Sequence, residues 1–405
     1  MANQHTDLDS TSRDPPDRVD NSNSNNRWRS PRLRVESDSA RERHANWLEL
    51  FFDLVFVVAV TELSHTLETH LTFTGFWQFV VLFVPCWWAW TMFTFYIDRY
   101  DVDDVVHRLA ILSGMLSILF LSANIHNVFS GKGSAWFAWS YVAIRSIVLL
   151  LYLRVAIHVP LARIDRNLYL VSYLPSTSLW LGSIAFTEPT RFILWAIAMT
   201  IELVIPFLSE RRLATSPVDP SHLPERFGLL TLIVLGELIV SVARTTAGND
   251  WALMPTIAAM IGFGIAACLW WIYFDFLEAV VIIRDARSVN VYNYWHLPIV
   301  MGLALVSVGI KLTIQSASSS LLPDSARWTL CGGVALCLLA IMVIWTIACR
   351  RHLSWQMANW IAVVIGLAVF GESLSPLVLE GFLLIILVGK ITLKILHPHV
   401  DRTQI

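Results

Sequence analysis

The chain has 405 residues, of which 56% are apolar and 15% are charged, and its mean hydropathy is +0.59. An ordinary soluble domain carries about 25% charged residues, so the composition excludes that class and predicts a polytopic membrane protein. The formal net charge is −2, which gives no field that would attract nucleic acid, and we expect no nucleic-acid partner. The lipid bilayer is the expected environment of the chain.

Residues 1–46 form a polar segment rich in Asn, Ser, Asp, Pro and Arg. It holds too few apolar side chains to offset the entropy cost of ordering, so we expect a disordered tail. Eight of its residues are arginine. Beside a membrane span, such a cluster predicts a cytoplasmic location and contact with anionic lipid headgroups.

Twelve apolar segments follow the tail, and a bilayer-spanning helix needs about 20 such residues. We therefore predict an all-α fold of about 12 transmembrane helices. Segments 168–208 and 354–396 are interrupted only briefly, so each is either two full spans or a broken helix. The predicted spans are 48–70, 76–97, 106–125, 134–157, 168–187, 190–208, 226–246, 252–277, 292–315, 327–349, 354–371 and 374–396.

The distribution of positive charge predicts the orientation of these spans. With the N terminus in the cytoplasm, 23 of the 29 Lys and Arg residues fall on the cytoplasmic side and four in outer loops. The other two, Arg145 and Lys311, lie within spans. Cytoplasmic loops carry an excess of Lys and Arg, so both termini are expected to be cytoplasmic.

The seventh span resembles the first. Aligning Glu237 with Glu62, an offset of 175, also aligns Phe227 with Phe52. Later pairs in the same order are Asp98 with Asp275 and His107 with His296. We predict two parallel six-helix repeats whose paired residues recur about an axis along the membrane normal. The predicted parts are the tail 1–46, a first half 47–223, a second half 224–397 and a cytoplasmic tail 398–405.

Ionisable groups inside the first and seventh spans are the main functional candidates. The first span carries Glu49, Asp53, Glu62 and His65, and the seventh carries Glu237. A charge at the centre of a membrane helix costs about 2.5–3.5 kcal/mol on insertion scales, so each group needs a partner, water or a proton. We interpret Glu62 and Glu237 as proton or cation carriers; the alternative is neutral acids hydrogen-bonded to neighbouring helices. His65 fits either a binding role or an interfacial position.

The loop after the second span holds four aspartates and a histidine. Asp104 and His107 have an i,i+3 spacing that could ligate a divalent metal, and Asp101 is a third candidate ligand. Alternatively, Arg99 and Arg108 neutralise the acids in a salt-bridged loop. The metal is therefore left unknown, and no cofactor is expected.

Two further features concern helix contacts. Glu225 and Arg226 open the seventh span, where we expect a structural clamp in which the arginine pairs with Asp53 or Asp275. Arg145, inside the fourth span, also needs a carboxylate, and the sixth span offers one. Small residues recur in the eighth span and predict close contact with another helix. They are Ala258, Ala259, Gly262, Gly264, Ala266 and Ala267.

Four strings carry a resemblance to a known family: WLELFFDLVFVVAVTELSH from Trp47, ERFGLLTLIVLGELIV from Glu225, LWWIYFDFLE from Leu269 and YNYWHLPIVMG from Tyr292. In this order, over about 45–395, they resemble the signature segments of the bacterial low temperature requirement A (LtrA) family. The resemblance implies an integral membrane protein named for a growth phenotype in the cold, with no established biochemical activity. Relatives are expected often to carry an amide where this chain has Glu62.

Two hypotheses about function stay open. The first is a secondary transporter or ion-coupled permease for an unknown small solute or ion, based on the duplication, the short loops and the paired acids. Its candidate binding residues are Glu49, Asp53, Glu62, His65, Glu237, Asp275 and His296. The second is a non-transporting protein of the inner membrane that supports growth or envelope function in the cold through partner or lipid binding. An intramembrane enzyme is a third hypothesis, but no nucleophile elbow, HExxH motif or phosphate loop supports it, and we expect no enzyme.

Overall fold

The computed structural model describes residues 32–33, 46–101, 104–159, 162–208, 222–279, 285–348 and 355–396. These residues form twelve α-helices, which confirms the predicted all-α fold. In chain order they are α1 (Trp47–Thr69), α2 (Phe73–Arg99), α3 (Val105–Asn124), α4 (Ser134–His158), α5 (Ala162–Ser183), α6 (Thr190–Leu208), α7 (His222–Ala247), α8 (Leu253–Ala279), α9 (Ala286–Gln315), α10 (Asp324–Val343), α11 (Trp355–Phe370) and α12 (Pro376–Leu396).

Eleven of the described helices are long and apolar enough to cross a membrane. The exception is α5, predicted as a span over 168–187. It begins six residues earlier, and its sequence holds Arg163, Asp165 and Arg166 near the start and polar residues at 176–178. These polar groups lower its hydropathy below that of its neighbours.

Both interrupted segments contain two separate helices. Thr190 begins α6 after a turn that follows Ser183, and a 3₁₀ turn at Gly371–Ser373 separates α11 from α12. The structure therefore describes two helices at each place. The predicted duplication and the cytoplasmic location of the termini stay predictions.

One short pairing falls within the predicted disordered tail. Arg32–Leu33 (β1) pairs antiparallel with Tyr100–Asp101 (β2), which directly follows α2. These two residues thus pair with the segment that follows α2, and the disorder of the tail stays a prediction. The remainder of the tail before Asn46 lies outside the described residues.

Helix α1 lies at the centre of the packing, in contact with α2, α3, α7 and α9. It therefore joins helices from both predicted halves. Near its N terminus it meets the beginning of α7, and near its C terminus it meets the last turns of α9. These contacts show that α1, α7 and α9 run in the same direction through the fold.

The closest helix pair is α9 with α10, and glycines make it possible. A Cβ added at Gly309 of α9 would lie 2.6 Å from the Cα of Leu330 in α10. One added at Gly302 would lie 2.5 Å from the Cys337 sulfur. Any larger side chain at these positions would push the two helices apart.

Candidate functional site

A cleft of about 320 Å³ lies between the C-terminal halves of α1, α7 and α9. Glu62 of α1 and Glu237 of α7 both line it. The two acids that the internal alignment pairs therefore share one site. The other polar side chains of its lining are Thr61, Ser64, His65, Glu68, Ser241, Arg244, Thr245, Ser307 and Lys311.

The carboxylates of Glu62 and Glu237 make no hydrogen bond or ion pair with any described residue. Both side chains are partly buried. In this they differ from the buried acids Glu49, Asp53 and Glu202, which meet a basic side chain. Two carboxylates without an ion-pair partner among the described residues therefore line one cleft.

A basic group balances a third acid toward the C-terminal end of the cleft. Lys311 of α9 holds its Nζ 2.7 Å from Oε2 of Glu68 in α1, with both side chains partly exposed. The Nδ1 of His65 is 3.9 Å from the same oxygen, and the imidazole is 58% exposed. The structure therefore places His65 at the exposed rim of the cleft, where it also stacks on His126.

At the other end of α1, a buried network of charges joins α1 to α7. The Arg226 guanidinium donates one hydrogen bond to Oε2 of Glu49 (2.8 Å) and another to Oδ1 of Asp53 (2.7 Å). The indole of Trp90 in α2 donates to the same Asp53 oxygen at 2.8 Å. All four side chains are buried. Of the two acids expected for Arg226, the structure pairs it with Asp53, and Glu49 is a second partner. The role of Glu225 and Arg226 as a structural clamp stays a prediction.

His222 extends this network to the end of α2. Its Nδ1 lies 2.9 Å from Oδ1 of Asp98, and its Nε2 lies 3.3 Å from Oε2 of Glu49. The imidazole is only 4% exposed. Sequence reasoning missed His222, because the residue stands ahead of Pro224 and outside the predicted span. Three helices are thus held together by one set of buried charges, which we name the ion network: Glu49, Asp53, Asp98, His222 and Arg226.

Aromatic side chains fill the space between the ion network and the cleft. The ring of Phe227 lies 5.0 Å from Trp90 and 4.7 Å from His296, measured between centroids. Trp87 and Tyr292 contact the same ring. On α7 and α9 these residues precede the first residue of the cleft lining. This aromatic layer, Trp87, Trp90, Phe227, Tyr292 and His296, is buried throughout.

Besides Glu49 and Asp53 of the ion network, two more predicted binding residues lie outside the lining of the cleft. His296 belongs to the aromatic layer, where its Nε2 is 3.1 Å from the Tyr273 hydroxyl and its Nδ1 is 2.7 Å from the Tyr292 carbonyl oxygen. Asp275 is not the partner of Arg226. Its carboxylate pairs with Lys394 at 3.2 Å, in a half-exposed contact between α8 and α12.

Two of the three predicted metal ligands, Asp104 and His107, contribute to the N-terminal cap of α3, and the third, Asp101, lies in β2. The Asp104 carboxylate accepts the backbone N–H of His107 and caps α3. Both its oxygens also face Arg154, at 3.0 and 2.5 Å, so the charge is neutralised by α4 and not by the arginines of the loop. Among the described residues no group of three or more His, Cys, Asp or Glu could hold a metal.

A second buried ion pair lies within the first half of the chain. Arg145 of α4 donates to Oε2 of Glu202 in α6 at 2.6 Å, the pairing that the sixth-span acid suggested. Tyr141 and Ser176 also donate to this carboxylate. The Arg145 guanidinium further covers the Tyr173 ring at 4.0 Å. Every group in this cluster is satisfied, so it holds α4, α5 and α6 together.

Comparison with known proteins agrees with the resemblance of the four strings. The family model of the bacterial low temperature requirement A protein (LtrA) matches residues 44–391. A protein of Rhizobium meliloti (strain 1021), described as uncharacterized protein RA0937, is 27% identical over 311 residues, which covers 67% of this chain and 73% of the relative. The family match includes all twelve helices apart from the last turns of α12. The chain belongs to the bacterial low temperature requirement A (LtrA) family of membrane proteins.

Proposed function

We propose that this protein is a secondary transporter or ion-coupled permease in which Glu62 and Glu237 bind the transported or coupling cation. The observation that carries the proposal is their position on one cleft without a partner among the described residues. Buried acids that serve only the structure find a basic partner in this fold, as Asp53 and Glu202 do.

The two carboxylates in the cleft favour a site that binds and releases a cation. Neither Glu62 nor Glu237 has a basic partner among the described residues, so a bound cation would supply the missing positive charge. The volume of about 320 Å³ lies at the lower end of the range for small-molecule sites, roughly 300–1,000 Å³. The cleft therefore offers room for a small solute beside the ion.

The ion network and the aromatic layer supply a barrier at one end of the site. A transporter must close its binding site toward one side at a time. Here the path from the cleft toward the N-terminal ends of α1 and α7 is filled by buried rings and then by the contacts of Arg226 with Glu49 and Asp53. We infer that passage in this direction requires α1 and α7 to separate at Arg226.

The test is flux in liposomes that contain the purified full-length protein and a pH-sensitive dye. Candidate cations and small solutes are added outside one at a time. We expect uptake or proton movement in the wild type that Glu237→Gln abolishes, because the amide cannot carry the charge change. Glu188→Gln, an exposed acid in the α5–α6 turn, is the matched control and should leave the flux unchanged.

Absence of flux across a broad panel would overturn the proposal, provided that the reconstituted protein keeps its helical content. Binding to a partner protein or to a lipid under the same conditions would then support the non-transporting hypothesis.

A further inference from the structure

Glu380 is a wholly buried acid that sequence reasoning did not single out. It lies in the second turn of α12, and its exposed fraction is 0%. Neither carboxylate oxygen has a hydrogen-bond partner among the described residues. This combination sets it apart from Asp53 and Glu202, which are equally buried but accept hydrogen bonds from arginine.

Glu380 packs directly against α8 at a glycine. A Cβ added at Gly262 would lie 3.2 Å from Oε1 of Glu380 and 2.5 Å from Cγ2 of Ile310 in α9. Gly264 faces Leu384, one turn further along α12. The small residues of α8 therefore make the close contact that their spacing predicts, and the contact encloses a carboxyl group.

The surroundings offer no charge to balance a carboxylate. On α8, the neighbouring turns present Ala258, Ala259 and Ala266, all buried. Of the Asp, Lys and Arg side chains described on α8 and α9, Lys311 pairs with Glu68 and Asp275 with Lys394, and Arg287 lies in the first turn of α9, 23 positions before Ile310. Tyr273 contacts His296. Helix α11 contains no ionisable residue, and Glu372 in the turn before α12 is exposed.

An ionised carboxylate without a partner is strongly disfavoured in such a place. A sodium or other metal ion would need several oxygen ligands, and neither Gly262 nor Ile310 at this contact carries a side-chain oxygen. A proton needs no further ligand. We propose that Glu380 is a proton-binding site, which stays protonated while α8 and α12 are packed together and releases its proton when they part.

This site is separate from the cleft but shares a helix with it. Ile310 of α9 contacts the Gly262 position, and the next residue, Lys311, lines the cleft. If α8 separates from α12, α9 therefore loses packing contacts, and α9 forms one wall of the cleft. The proposal itself does not require that the protein transports anything.

Infrared difference spectroscopy of the full-length protein in lipid nanodiscs tests the proposal. At neutral pH we expect a carbonyl stretching band of a protonated carboxylic acid that exchanges slowly in heavy water. The band should be lost in Glu380→Gln and kept in Glu372→Gln, which alters an exposed acid eight residues earlier. Retention of the whole band in Glu380→Gln would overturn the proposal.

A second variant guards against misfolding. Glu380→Leu replaces the acid with an apolar side chain of similar volume, and a neutral acid without partners should tolerate this change with an unaltered melting temperature. If Glu380→Gln does not fold, the band is compared in Glu380→Leu. Failure of both variants to fold would contradict the proposal as well, because it would mean that the ionised carboxylate is required.

Discussion

Glu62 and Glu237 line one cleft, although 175 positions separate them in the chain. They come from α1 and α7, the first helices of the two predicted halves. Toward the N-terminal ends of the same two helices, Arg226 of α7 pairs with Glu49 and Asp53 of α1. Toward the N-terminal ends of α1 and α7 the acids are thus paired in the ion network, whereas in the cleft Glu62 and Glu237 have no partner among the described residues.

We expect Arg226→Gln to lower the free energy of unfolding by about 3–5 kcal/mol, because it leaves two buried carboxylates without their cation. Thermal unfolding of the purified protein in detergent measures the change. The triple variant that adds Glu49→Gln and Asp53→Asn should be more stable than Arg226→Gln alone. If the free energy of unfolding of Arg226→Gln lies within about 1 kcal/mol of the wild-type value, the ion network does not stabilise the fold as expected.

Arg145 and Glu202 should behave as one energetic unit. The pair is fully buried at 2.6 Å, so either single change to Leu leaves an unpaired charge. In a double-mutant cycle we expect the double variant to be more stable than the sum of the single effects implies, with a coupling of about 0.5–3 kcal/mol. Additive effects would show that the two residues act independently.

Gly309→Ala should destabilise the protein by about 1–3 kcal/mol, since the added methyl group meets the backbone of Leu330 at 2.6 Å. Gly332→Ala in α10 is the matched control, because nothing lies within 4 Å of its added methyl group. This control should be neutral or stabilising by up to about 1 kcal/mol. Equal melting temperatures for the two variants would argue against the close α9–α10 contact.

Glu68→Gln should alter flux without much effect on stability. The pair with Lys311 is partly exposed, so its loss should cost less than about 1 kcal/mol. It would, however, leave the charge of Lys311 uncompensated in the cleft, and we expect slower cation uptake in liposomes. Lys394→Gln breaks the similarly exposed Asp275 pair outside the cleft and should not change uptake. Equal uptake in Glu68→Gln and the wild type would show that the charge of Lys311 does not influence uptake.

Much of the architecture follows from the sequence because apolar segments of membrane length have few alternatives. The pairing of Arg226 with Asp53 was predictable for a related reason: a buried arginine requires an acid, and the chain offers few. The sequence alignment pairs Glu62 with Glu237, and both line one cleft, as expected if equivalent helices of the predicted halves meet at a seam.

Other contacts were not predictable because they depend on helices that are distant in sequence. Asp98 and Asp275 occupy aligned positions, yet Asp98 is buried beside His222 while Asp275 is half-exposed beside Lys394. Glu380 stands after a proline at the start of an apolar helix, a place typical of an exposed N-terminal acid. Only its contact with Gly262 reveals its burial.

The most direct measurement compares cation or proton flux in liposomes for Glu62→Gln, Glu237→Gln and the double variant. If the two acids form one binding site, either single change removes most of the flux and the double variant is no slower than the slower single variant. Wild-type flux in both single variants, together with unchanged ion binding, would contradict a shared site in the cleft.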